Sequence, residues 1–166
     1  MKKVLYLATM LLCMAITSCQ KEDIGGTATE SLAGDWYVLA NVVNADGSVI
    51  EDPYGLGRFH ILTYNTSANN PNEIWIDDLG KNIFWNFKVK ANGDINTLTF
   101  GAASAENQRG DEITINITNG KIIKNGGMQN NGSPADYITM DVEFSDDPGT
   151  IYRLEGVRYS GLAEND

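Results

Sequence analysis

Two adjacent acidic pairs, Asp77-Asp78 and Asp146-Asp147, are the first candidates for chemistry in this chain. Two carboxyls facing one substrate across ~5–10 Å can act as the acid and base, or acid and nucleophile, of glycoside hydrolysis. Aspartates in turns have a plainer use as well, because their side-chain oxygens cap nearby backbone amides. Together with Asn82 the same oxygens could gather a hard cation such as calcium. The spacing of an EF-hand loop is absent, however, and no metal site is expected.

The single histidine, His60, lies in Phe59-His60-Ile61-Leu62, where alternation puts it on the face opposite Phe59 and Ile61. A structural place on a strand is expected for it. No G-x-S-x-G occurs, and Ser104, Ser133 and Ser160 fall in loops or at strand ends, so a strained turn presenting a serine nucleophile has no support. A serine hydrolase is disfavoured, and no catalytic residue or cofactor is assigned. The aromatic residues Trp75, Trp85, Phe87, Tyr137 and Tyr152 remain as candidates for ligand binding. Turned inward they would supply stacking faces and apolar walls; otherwise they are ordinary packing.

Cys19 carries a different chemistry. Lys2 and Lys3 precede an apolar run from Val4 to Ile16, and the small residues Thr17 and Ser18 stand directly before the cysteine. This is the pattern of a signal peptide over residues 1–18. Ile16-Thr17-Ser18-Cys19 resembles the bacterial lipobox, with Ile16 in place of the commoner leucine and Ser18 in place of glycine or alanine. The resemblance implies a lipid thioether on Cys19 and a membrane anchor there. Gln20-Lys21-Glu22-Asp23 resembles the short charged signal that sends lipoproteins of the Bacteroidota to the outer face of the outer membrane. Residues 19–31 then read as a lipidated flexible tether, rich in small and polar residues, and residues 32–166 as one domain.

Loss of Lys2 and Lys3 with the signal makes the formal net charge of −10 two units more negative. Such a surface repels nucleic acid and anionic head groups, so no nucleic-acid partner is expected. Cys13 leaves with the signal and Cys19 is lipidated, so no cysteine is left for a disulfide. The core alone must stabilise the domain.

The elements that would position these residues are all strands. From Asp35 onward, short runs of β-branched and aromatic residues are broken every 8–12 positions by Asn, Asp, Gly and Pro. The pattern predicts strands at 35–44, 58–66, 73–77, 83–90, 95–100, 112–118, 121–124, 136–145 and 150–159, with loops at 65–72, 101–110 and 125–135. Turns are expected at Ala45-Asp46-Gly47, Asp77-Asp78-Leu79-Gly80, Asn92-Gly93, Asn119-Gly120 and Asp147-Pro148-Gly149. Ile113, Ile115 and Ile117 alternate with polar residues, as do Ile138, Met140, Val142 and Phe144, so one face of each strand meets an apolar interior. About eight meandering strands can stack as a sandwich or close as a barrel, and periodicity alone leaves both open.

Gly34-Asp35-Trp36 at the start of the first strand, paired with Arg158 near the end of the last, resembles the lipocalin and wider calycin signature. Arg153 competes as the partner. The resemblance implies a single antiparallel up-and-down barrel of about eight strands, with an arginine over the Trp36 indole where the barrel closes. Ala33-Gly34-Asp35-Trp36-Tyr37-Val38, Glu73-Ile74-Trp75-Ile76-Asp77-Asp78, Asp146-Asp147-Pro148-Gly149-Thr150 and Gly156-Val157-Arg158-Tyr159-Ser160-Gly161 together resemble a family of Bacteroidota lipoproteins labelled lipid-binding putative hydrolases. That resemblance spans most of 32–166 and implies a small hydrophobic ligand or lipid as partner.

Three functions follow as expectations. The first is a surface lipoprotein whose barrel holds a small apolar molecule in its mouth. The second is a non-enzymatic interaction protein in a nutrient-capture or adhesion assembly, with a filled barrel. The third, a hydrolase, rests on the family label alone.

Overall fold

The computed structural model describes residues 26–81, 83–110 and 112–165. The expected signal peptide, Cys19, the charged run 20–23 and Asn82 lie outside the described residues.

The strands are β1 (Gly34–Val43), β2 (Val49–Ile50), β3 (Phe59–Asn65), β4 (Glu73–Asp77), β5 (Lys88–Asp94), β6 (Thr99–Glu106), β7 (Thr114–Met128), β8 (Pro134–Phe144) and β9 (Ile151–Arg158). From β3 to β9 each strand pairs antiparallel with the next, and β1 pairs with β3 on one side and β9 on the other. Eight strands therefore close into an up-and-down barrel, while β2 pairs only with the end of β1 and stands outside it. The β1–β9 seam runs from Trp36 opposite Arg158 to Val43 opposite Ile151, and it excludes the sandwich. Gly156 makes this close approach possible: a Cβ there would sit 2.1 Å from the Tyr37 carbonyl oxygen.

Alternation packs the inside. Trp36, Val38, Ile61, Ile74, Ile76, Val89, Ile115, Ile138, Met140, Val142 and Leu154 are all fully buried in one cluster. An eight-stranded barrel is just wide enough for side chains to fill, and these residues, aliphatic apart from the Trp36 indole, fill its axis. Each contributes about 1.5–3 kcal/mol by leaving water.

Several expected boundaries move. The run 83–90 was expected to be one strand, but β5 begins only at Lys88; Asn86 has φ 53°, and Phe84, Trp85 and Phe87 fold over the barrel end instead. The turn expected at Asn92-Gly93 lies inside β5, and the chain reverses between β5 and β6 over residues 95–98, with Leu98 at φ 55°. Asn119-Gly120, also expected as a turn, is an irregularity within β7, where the register to β8 shifts between Thr118 and Lys121 and Asn119 takes φ 55°. Asn-Gly serves a bulge as readily as a hairpin because both need positive φ. Most of the loops expected at 101–110 and 125–135 is strand, since β6 runs to Glu106 and β7 to Met128. Packing also reaches back before Leu32, into the segment expected to be tether: Thr29 is buried, and the Ala28 amide donates to Asn69 Oδ1 at 2.9 Å.

Antiparallel order gives the barrel two unlike ends. Residues 26–33, 66–72, 95–98, 129–133 and 159–165 gather at the floor, where β1 begins and β9 ends. There Trp36 Nε1 donates to Thr63 Oγ1 at 2.8 Å, and Thr63 Oγ1 donates to the Leu32 carbonyl at 2.6 Å. The Arg158 guanidinium lies 4.5 Å from the Trp36 ring centroid, and its Nη1 donates to the Ala33 carbonyl at 3.1 Å. Gly34 leaves the space this needs: a Cβ would lie 2.6 Å from Arg158 Nη1 and 2.7 Å from the indole Cζ2. Arg153, the competing arginine, instead grips Asp141 from the outer wall with Nε at 2.7 Å and Nη2 at 3.0 Å. Residues 44–58, 78–87, 107–113 and 145–150 form the opposite end, the mouth.

Candidate functional site: an aromatic cleft at the barrel mouth

The mouth holds a cleft of about 460 Å³ lined by Tyr54, Leu56, Ile83, Phe84, Trp85, Asp146, Asp147 and Tyr152. Its volume falls in the ~300–1,000 Å³ range of small-molecule sites. The cleft is open to solvent, with Tyr54 60% exposed and Ile83 42% exposed. A second depression of about 330 Å³ lies beside β6 and β7, lined by Glu106, Asn107, Gly110, Glu112, Ile113 and Thr114. It has no aromatic wall.

Three loops bring the cleft residues together. Asp52 shapes the first: its carboxylate accepts from the Leu56 amide at 2.8 Å and the Gly57 amide at 2.9 Å, folding 52–57 so that Tyr54 and Leu56 face the mouth. Asp77 and Asp78 begin the second, accepting from the Leu79 and Gly80 amides at 2.8 and 2.9 Å, while the Asp78 amide donates to the Phe87 carbonyl. Asn107 ties that loop down, accepting from the Lys88 amide at 3.0 Å and donating to the Asn86 carbonyl at 3.3 Å. The third is the β8–β9 hairpin, which carries Asp146 and Asp147.

The aromatic side chains form a stack over the filled core. Trp85 lies flat on Phe144, with centroids 4.6 Å apart and planes 9° apart, and Phe84 stacks on Phe59 at 5.4 Å. Tyr152 meets Trp85 at 4.8 Å and Tyr54 at 6.3 Å. The carboxylates sit on the polar tips of these rings: Trp85 Nε1 donates to Asp146 Oδ1 at 3.1 Å, and the Tyr152 hydroxyl donates to Asp147 Oδ2 at 2.6 Å. Burial first, and then the hydrogen bond to Asp147, push the Tyr152 hydroxyl well above its ordinary range. It stays a neutral donor at physiological pH.

Of the five aromatic candidates, the cleft brings together Trp85 and Tyr152. Phe87 is fully buried just beneath, edge-on to Phe84 and Phe144 at 6.4 and 5.6 Å. Trp75 and Tyr137 alternate with core residues and therefore face the outer wall. Trp75 lies under Lys88 Nζ at 4.7 Å and Lys90 Nζ at 5.6 Å, and the Tyr137 hydroxyl donates to Glu155 at 2.8 Å. Tyr54, Leu56, Ile83 and Phe84 were not singled out from the sequence. The signal for one of them was present: three aromatics in the four positions 84–87 break the period-two pattern of a half-buried strand.

The acidic pairs separate in role. Burial alone would raise the Asp77 carboxyl, but hydrogen bonds from Arg109, the Tyr64 hydroxyl and the Leu79 amide outweigh it and hold the group below the usual range. For Asp78, burial wins and the carboxyl is raised. Both are occupied in fixing the loop, whereas Asp146 and Asp147 line the cleft. Among the described residues no group of three or more His, Cys, Asp or Glu side chains could hold a metal ion. His60 stands on the outer face of β3, its Nδ1 2.8 Å from Asp35 Oδ1 and its ring against Tyr37 and Tyr159.

Fold and site together define a closed eight-stranded β-barrel with a filled axis and an aromatic, carboxylate-tipped cleft at one end. The chain belongs to the family described as "Lipid-binding putative hydrolase", whose model matches residues 21–163. No curated protein matches it.

Proposed function

We propose that this protein is a lipid-anchored protein of the bacterial outer membrane, exposed at the cell surface, that binds a small hydrophobic molecule such as a lipid at the mouth of its barrel. The observation that carries the reading is the position of the free space. The axis is packed with aliphatic side chains, while the mouth keeps a cleft of about 460 Å³ walled by aromatic rings. The lipid-binding family agrees with this, the lipobox-like run ending at Cys19 supports the anchor, and the charged run Gln20-Lys21-Glu22-Asp23 supports the Bacteroidota outer-membrane setting.

Native mass spectrometry and solvent extraction test it, on soluble chain beginning at Gln20 so that every described residue is kept. A lipid or other apolar molecule should travel with the protein. Trp85→Ala should remove it, since truncating a central aromatic anchor costs about 2 kcal/mol or more of binding. Protein that carries nothing, and takes up no apolar molecule when offered one, would sink the reading.

The filled axis favours one other reading, a non-enzymatic surface interaction protein with no small ligand. It predicts that same empty extract.

A further inference from the structure

We infer that the mouth cleft selects a monomeric amphiphile with a cationic ammonium head over one with an anionic or uncharged head. The inference rests on the proposed ligand-binding reading and adds the chemistry of the head group.

Its first support is the balance of hydrogen-bonding groups. Trp85 Nε1 can only donate and is spent on Asp146; the Tyr152 hydroxyl donates to Asp147, and so does Thr150 Oγ1 at 3.2 Å. The wall therefore turns carboxylate oxygens toward a ligand while its main donors are already engaged. A phosphate or carboxylate head brings only acceptors and finds the Trp85 and Tyr152 donors already taken.

The second support is charge. No lysine or arginine is among the lining residues, and neither Asp146 nor Asp147 forms an ion pair among the described residues. The formal net charge of the whole chain is −10. An anionic head would meet two uncompensated carboxylates and an acidic surface, whereas a cation would neutralise the local charge.

The third support is the arrangement of the rings. Tyr54 and Trp85 offer their rings on either side of the buried Tyr152 ring, at centroid distances from it of 6.3 and 4.8 Å. Electron-rich ring faces next to carboxylates attract ammonium groups, most strongly where water is partly excluded. Leu56, Ile83 and Phe84 supply the apolar remainder for the tail.

Titration calorimetry with three probes of one tail length tests this: dodecyltrimethylammonium, dodecanoate and dodecanol, each below its aggregation threshold. The cationic probe should bind about tenfold tighter than dodecanol, with a preference that shrinks as salt is added, and dodecanoate should bind weakest. In Asp146→Asn/Asp147→Asn the amide oxygens can still accept from Trp85 and Tyr152, so the fold should hold. This variant should lose the preference for the cation, its affinity for dodecyltrimethylammonium falling to that for dodecanol. Equal or tighter binding of dodecanoate or dodecanol would overturn the head-group inference and leave the hydrophobic-ligand reading standing. A cation preference that survives in the double variant would also overturn it. Failure of all three probes to bind would overturn both.

Discussion

Arg158 stands directly opposite Trp36 across the β1–β9 seam, its guanidinium carbon 4.5 Å from the indole centroid and its Nη1 bonded to the Ala33 carbonyl. The pair joins the first strand to the last, so its loss acts on closure of the barrel. Trp36→Ala should cost roughly 3–5 kcal/mol, as for other fully buried aromatics. Arg158→Ala should cost less, about 1–3 kcal/mol, mostly from the Ala33 carbonyl left unpaired. Chemical denaturation of the two variants checks the order. Equal and negligible losses would show that the floor contributes little to stability.

Gly156 makes a separate prediction about the same seam. An added methyl would press on the backbone of Tyr37 and Val38, not on a flexible side-chain end. Gly156→Ala should therefore cost about 1–3 kcal/mol through overpacking, and amide exchange should speed up along β1 and β9 before the other strands. Uniform acceleration around the barrel would argue against a local opening.

Burial raises the Asp78 carboxyl, so its ionisation opposes folding. The folded state binds the extra proton between the ordinary carboxylate range and the raised value. Across that window stability falls as pH rises. Asp78→Asn keeps an oxygen for the Gly80 amide and removes the charge. Its melting temperature at neutral pH should be no lower than that of the parent, and the slope in the window should flatten. A clear drop at neutral pH would mean that the ionised carboxylate is itself stabilising.

Asp141 behaves in the opposite sense. Burial works to raise it, but the paired hydrogen bonds from Arg153 and the one from Asn119 hold it below the usual range. Its contribution is present above the unfolded carboxylate value, near 4, and is lost as pH falls through the lower folded value. Arg153→Met should reduce stability at neutral pH and lessen the acid sensitivity that remains. Melting curves from pH 7 down to pH 3 give both quantities.

Cys19→Ser tests the anchor. The variant should leave the detergent phase and become soluble, because serine cannot form the thioether. Unchanged partitioning would refute the lipoprotein reading.

That the chain is built from strands could be read from residue order, because alternation is local: each residue is inside or outside according to its own parity. The sequence also marked Gly34, Trp36 and Arg158, where a glycine gap, an indole and a cation stand at the two ends of one run of strands. The family was legible in blocks such as Asp146-Asp147-Pro148-Gly149-Thr150. Closure was legible only through that Trp36–Arg158 signature and not through alternation, because pairing of β1 with β9 joins residues far apart in sequence and depends on Gly156 clearing the Tyr37 backbone. The mouth was only half legible. Trp85 and Tyr152 could be named, but alternation cannot foresee that 83–87 leaves the sheet to bury its rings against Phe59, Phe144 and Tyr152. Nor can residue type alone put Trp75 and Tyr137 on the outer wall. Only the closed barrel gives each strand an inside, and only the meeting of three loops at one end turns separate aromatic residues into a cleft.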